Sequence, residues 1–171
     1  AAHLDGRDNV ITLRTCGKAL GCEGALVCAP AVVAEFLVNR GRGFIFSTAP
    51  SPLIAAVTRA ALGLLRNAPG RRTALLGRVK LAGEVLGPLG AAVTGSQIMP
   101  LILGEDARAM AVAGALQTAG FDVRGIRPPT VPAGTARLRI AITLNAGVAD
   151  IRALGETLAG VLEAQAWPAT S

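Results

Sequence analysis

The chain has 171 residues, 51% of them hydrophobic and 16% charged, with a mean hydropathy of +0.51. That composition excludes a disordered chain and provides a core for one domain, or for one large and one partial domain. The net charge of +6 would suit nucleic acid as a partner, but the aromatic content of only 3% favours a generally basic surface instead. The arginines are scattered apart from Arg40/Arg42 and Arg71/Arg72, and few rings are available to stack on bases.

Short apolar runs alternate with amphipathic segments, the pattern of an α/β or α+β architecture. GALVC, Gly24 to Cys28, is short enough for a buried strand. Pro30 suits the first position of a helix through Arg40, with Val33, Phe36 and Leu37 on one face and Gly41 as terminator. Phe44 to Phe46 is expected as a second strand. Ser51 and Pro52 form an N-cap and first-turn pair for a helix carrying Ile54, Val57, Ala61 and Leu64. Ala68-Pro69-Gly70 should break it.

A helix over 73–87 follows, with Leu75, Val79, Ala82 and Leu86 in one apolar stripe. SQIMPLILG (96–104) is strand-like. Asp106 can cap a helix to Ala119, closed by Gly120, and Phe121 to Ile126 returns as a strand. RPPTVPAG (127–134) excludes regular structure, because three prolines remove amide donors and fix φ. ARLRIAITL (136–144) alternates Leu138, Ile140 and Ile142 on one face of a half-buried strand, leaving Arg137 and Arg139 structural or solvent-facing. A last helix, 150–165, aligns Ile151, Leu154, Leu158 and Val161.

Two parts are therefore expected, divided near residue 70. Residues 1–70 hold two strands, too few for a free-standing sheet, and resemble the end of something larger. Residues 71–171 form a small α+β unit. No apolar stretch is long enough to cross a bilayer, and AAHLDGRDNV at the start is no signal peptide, so a soluble cytoplasmic protein is the default. Cys16, Cys22 and Cys28 form no CxxC pair and His3 is the only histidine, which argues against a metal site and for reduced, partly buried thiols.

Lys18, in LRTCGKALG, is the residue with the most chemistry to explain. By spacing alone a lone Gly-Lys is most often a solvated turn. A phosphate-binding loop is excluded, because Thr12 stands where its first glycine belongs and Ala19 where its Ser or Thr belongs. A nucleophile stays open: Gly17 and Gly21 let the backbone approach a ligand, Thr15 offers a hydroxyl, and a lysine can form a Schiff base with an aldehyde. Pyridoxal phosphate is the usual such aldehyde.

TCGKALG, FIFSTAPSP and IRPPTVPAGTARLRI, in this order and at these distances, resemble the α-oxoamine synthases, pyridoxal-phosphate enzymes of the fold-type I aminotransferase superfamily. The resemblance covers essentially the whole chain and corresponds to the C-terminal half of such an enzyme. It implies an α/β fold made of the end of the large cofactor-binding domain (1–70) and the small C-terminal α+β domain (71–171). Lys18 matches the lysine that holds the cofactor covalently, and Thr15 the residue that hydrogen-bonds its phosphate. Ser47 and Thr48 match a pair that reaches the phosphate bound in the other subunit of a homodimer, although a turn before Pro50 would use them equally. Arg127 matches the arginine that holds the substrate carboxylate, where its planar fork suits a bidentate contact, and Thr130 a residue lining the substrate site. Many relatives carry Phe or Leu in place of Cys16 and His in place of Ala146; neither change removes a group the chemistry needs.

The resemblance implies a decarboxylative condensation of an amino acid with an acyl-CoA, Lys18 also serving as general base. The third segment is most similar to the biotin-pathway branch, which joins alanine to pimeloyl-CoA. A glycine-using relative that makes 2-amino-3-ketobutyrate or 5-aminolevulinate is the alternative within the family, and a non-enzymatic basic binding domain the alternative outside it. The acid and the ring-stacking histidine that such enzymes place on the cofactor, in an Asp-x-x-His segment, lie in the family's other half, and His3 is in no such motif. These 171 residues are accordingly expected to be inactive alone.

Overall fold

The computed structural model describes residue 4 and residues 6–164; His3 and position 165 lie outside the described residues. The chain divides into two compact units, Ala1–Pro69 and Gly70–Ser171.

In the first unit, strands β1 (Thr12–Thr15) and β2 (Ala25–Cys28) form an antiparallel hairpin, with Thr12 opposite Cys28 and Thr15 opposite Ala25. β1 was not anticipated, since Thr-Leu-Arg-Thr is brief and carries a charge at its centre. β2 is not the buried strand its composition suggests: all four of its residues are exposed. In a two-stranded ladder each strand has a single hydrogen-bonded neighbour, and burial of both faces requires further layers.

Helix α1 (Ala31–Arg40) begins after Pro30, which occupies the N-cap, and the Gly41 N–H closes it on the Leu37 carbonyl. A Cβ on Gly41 would lie 2.5 Å from that carbonyl oxygen, so only glycine fits between α1 and the next helix. That helix, α2 (Arg42–Ile45), replaces the strand expected over Phe44 to Phe46. Phe44 and Ile45 donate their N–H groups to the Gly41 carbonyl, and Phe46 donates to that of Arg42. A strand this short needs a neighbouring ladder for its amides; β1 and β2 pair with each other, and helical bonding satisfies the segment locally.

Helix α3 (Pro52–Asn67) is capped by Ser51, whose Oγ accepts the Leu53 N–H at 3.3 Å. Much of the apolar surface of this unit is exposed, including Phe36, Phe44, Phe46, Leu53 and Leu64. Its buried described residues are Cys16, Cys22 and Thr58.

Pro69 ends α3 and at once opens α4 (Pro69–Leu86), so this helix starts four residues before the expected position 73. Proline is tolerated there because first-turn amides have no intrahelical acceptor. After a 3-10 turn at Gly87–Leu89 come β3 (Ile98–Gly104), α5 (Asp106–Thr118), β4 (Arg124–Ile126), β5 (Ala136–Ala141) and α6 (Val148–Ala164). Glu105, not Asp106, holds the N-cap position of α5; Asp106 lies in the first turn, where a carboxylate favours the helix dipole. β4 is shorter than expected because Phe121 donates its N–H to Leu116 and Val123 to Phe121, amides used in leaving α5 at Gly120.

The second unit's sheet is antiparallel in the order β3-β5-β4. Met99, Leu101, Leu138 and Ile140 point to one face, where they join Val79, Ala82 and Leu86 of α4, Val112 and Leu116 of α5, and Ile151, Leu154 and Leu158 of α6 in one buried cluster. The stripes expected on α4, β5 and α6 are those that pack. Period-2 and period-3.6 patterns here meet a common core, which is why they were readable.

Candidate functional site

Lys18 lies in the connection between β1 and β2, residues 16–24. The hairpin ladder continues one step past Thr15, with the Cys16 N–H donated to the Gly24 carbonyl at 2.9 Å. The loop then folds back on itself: Cys22 donates to the Cys16 carbonyl at 3.0 Å, and Gly21 donates to that of Lys18 at 3.1 Å. Gly21 and Gly24 take φ of +63° and +86°, conformations that cost side-chain-bearing residues energy. Strand alternation turns Thr15 outward and Cys16 inward, and two residues further Lys18 is exposed at the turn. Thr15, the last residue of β1, and Lys18 thus belong to one hairpin, whose loop is folded back by these hydrogen bonds.

Ser47 and Thr48 follow α2 and are exposed. The Ser47 hydroxyl donates to the Phe44 carbonyl at 3.1 Å, which is the turn-type bond its sequence context allows. To donate to a phosphate oxygen it must exchange that partner. The structure brings Thr15 and Lys18 together on the hairpin and places Ser47 and Thr48 on a separate loop of the same unit.

In the second unit, Arg127 directly follows β4, and its carbonyl accepts the Thr130 N–H at 3.1 Å. Both side chains are exposed. Further along the same loop, the Thr135 hydroxyl donates to the Pro132 carbonyl at 2.7 Å and the Arg137 Nε donates to the Thr135 carbonyl at 2.9 Å. Arg137 therefore braces the loop that presents Arg127. The backbone hydrogen bond that brings the free cysteines Cys16 and Cys22 near each other across the Lys18 loop is a feature sequence reading missed, since a spacing of six residues matches no familiar cysteine motif.

The donor set suits a phosphorylated aldehyde. A primary amine on a glycine-flanked turn is the kind of group that forms an imine with an aldehyde, and hydroxyls such as those of Thr15, Ser47 and Thr48 are of the kind that hydrogen-bond phosphate oxygens. Among the described residues there is no cluster of three or more His, Cys, Asp or Glu side chains that could hold a metal, and no helix is long and apolar enough to cross a membrane.

Residues 1–152 match the family described as aminotransferase class I and II. The chain is 43% identical over 165 residues to the 8-amino-7-oxononanoate synthase of Anaeromyxobacter dehalogenans, an alignment covering 95% of this chain and 42% of that protein. The chain thus spans less than half the length of this relative. A structure of SPT with its PLP internal aldimine superposes with a TM-score of 0.82 at 25% identity, over 90% of this chain and 40% of that one. The 8-amino-7-oxononanoate synthase of Francisella tularensis shares the fold, with a TM-score of 0.80 at 24% identity over 92% of this chain and 47% of its own. The match to the family over most of the chain and the α/β architecture common to these neighbours lead to one assignment: the chain belongs to the class I and II aminotransferase family, the pyridoxal-phosphate enzymes of fold type I.

Proposed function

We propose that this chain is the Lys18-bearing part of a pyridoxal-phosphate-dependent acyltransferase. The enzyme condenses L-alanine with pimeloyl-CoA, releasing CO2 and CoA, as in biotin synthesis. The observation that carries the reading is Lys18 itself, exposed on a closed hairpin loop within TCGKALG, in a chain 43% identical to an 8-amino-7-oxononanoate synthase. In this reading residues 1–70 belong to the cofactor-binding domain and 71–171 form the small domain. The enzyme is a homodimer, with Ser47 and Thr48 serving the phosphate held by the partner.

Bound pyridoxal phosphate supplies an aldehyde for amines and a ring that withdraws electrons. The chain's own residues do the rest. Thr15 and the hydroxyls of Ser47 and Thr48 bind phosphate oxygens and fix the register of the site. Arg127 grips the amino-acid carboxylate with two parallel N–H groups, and Thr130 lines the same loop. The Lys18 amine takes the proton from the substrate's α-carbon and returns one later in the turnover. A basic surface favours encounter with an anionic CoA thioester.

The likeness to SPT, at a TM-score of 0.82, favours a second reading in which the same machinery uses another amino acid and acyl donor. The higher identity to the biotin-pathway synthase supports alanine and pimeloyl-CoA. The decisive experiment replaces the aligned segment of the Anaeromyxobacter synthase with this chain and measures turnover. Alanine with pimeloyl-CoA is the expected pair; turnover confined to glycine with acetyl-CoA would overturn the reading.

A further inference from the structure

The Cys22 N–H donates to the Cys16 carbonyl at 3.0 Å. Covalent bond lengths then hold the two Cα atoms within about 7 Å, which reaches into the span a disulfide bridges. Both side chains turn inward: Cys16 is 2% exposed and Cys22 7%, in a unit whose other buried described residue is Thr58. The loop between them is folded tightly enough that a Cβ on Gly17 would lie 3.8 Å from the Cys22 carbonyl oxygen. The Cys22 thiol makes a local hydrogen bond to the Leu20 carbonyl at 3.0 Å, a weak tether for a thiol to leave. Cys28 is exposed and sits opposite Thr12 at the far end of the ladder, about 10 Å along the strand from the loop. No step attributed above to Lys18, Thr15, Ser47, Thr48 or Arg127 uses either buried thiol.

We propose that Cys16 and Cys22 form a reversible disulfide that locks the loop carrying Lys18. The oxidant is a small disulfide such as oxidised glutathione. In a local opening of the loop, the Cys22 sulfur attacks one glutathione sulfur; the glutathione S–S bond breaks and one glutathione leaves, taking up the proton. The Cys16 sulfur then attacks the Cys22 sulfur of the mixed disulfide, and the second glutathione leaves with the second proton. Two protein thiols are oxidised by two electrons and one glutathione disulfide is reduced to two thiols. The ring closed over residues 16–22 contains Gly17 and Gly21, so the cross-link removes the backbone freedom those glycines give Lys18. Any effect on catalysis rests on the reading of Lys18 as the cofactor lysine; the cross-link does not.

The native 171-residue chain is incubated with oxidised glutathione, then blocked and mapped. Cleavage after Arg14, Lys18 and Glu23 puts the three cysteines on separate peptides, TCGK, ALGCE and GALVCAPAVVAE. The expected product is TCGK joined to ALGCE, released by dithiothreitol and still formed in a Cys28→Ser variant. Trypsin cutting of the native chain after Lys18 should slow about tenfold or more once the short loop is closed, and should stay fast in oxidised Cys22→Ser. Pairing through Cys28, glutathione adducts that never resolve to the cross-link, or undiminished cutting of the cross-linked chain would each overturn the proposal. Borohydride fixation of pyridoxal phosphate at Lys18 is measured alongside, in the chimera with the Anaeromyxobacter synthase that supplies the rest of the cofactor site. Its absence in the reduced chimera, with cross-link and slowed cutting intact, counts against the cofactor role of Lys18 and leaves the lock standing.

Discussion

The Arg127 carbonyl accepts the Thr130 N–H at 3.1 Å, so the two residues that match the family's substrate contacts ride on one turn at the end of β4. The hydrogen bonds of Thr135 and Arg137 brace the other end of that loop. The backbone of Arg127 is therefore held while its side chain is exposed, and substitution there should act on binding rather than on folding.

Arg127→Lys keeps the charge and loses the bidentate fork. In the active enzyme it should weaken amino-acid binding by roughly one to two powers of ten, the range for a charge-assisted contact worth about 1.5–3 kcal/mol. Cofactor affinity should change little. A spectral titration with alanine reads the effect, and an unchanged titration removes Arg127 from the site.

Lys18→Ala should abolish borohydride-fixed pyridoxal phosphate. Because Lys18 is exposed on a loop, the circular dichroism of the chain should stay as it was. Covalent fixation surviving in the variant, located by peptide mass, would refute the assignment.

The second unit was readable from sequence because its stripes converge on one core: Val79 and Leu86, Leu138 and Ile140, Ile151 and Leu158 are all buried. In the first unit the same reasoning misjudged Phe44 to Phe46 and left β1 unseen. Apolar residues there are mostly exposed, so hydrophobic pattern and burial are uncoupled in this unit. Local hydrogen bonding, as at Gly41 and Arg42, decides the conformation instead. The reading of Lys18 as the cofactor lysine rests on the TCGKALG segment, whereas the closeness of Cys16 and Cys22 in the backbone depends on how the loop folds back, which spacing does not reveal.

Ser51→Ala should destabilise α3. The Ser51 Oγ accepts the Leu53 N–H, one of the amides a helix start leaves without an internal partner. Loss of such a cap typically costs about 1 kcal/mol, and Ser51→Asp should retain most of it. Urea unfolding monitored by helical signal checks the order Ser, Asp, then Ala; equal stability of all three would show that the cap contributes nothing.

Gly155 offers the sharpest test of packing in the second unit. It is buried on α6, and a Cβ built there runs into Cγ1 of Val85 on α4. Alanine is the better helix former by about 1 kcal/mol, so on an open face Gly155→Ala would stabilise. Here the added methyl must displace Val85, a β-branched residue whose χ1 is nearly fixed within a helix. Overpacking of this kind costs about 1–3 kcal/mol, and the clash should win, leaving Gly155→Ala less stable than the parent. Removing the obstacle should reverse the sign: in a Val85→Ala background, Gly155→Ala should stabilise relative to Val85→Ala alone. The double-mutant cycle, measured by urea unfolding, reads this coupling directly. The same effect of Gly155→Ala in both backgrounds would mean that α4 and α6 do not meet at these two residues.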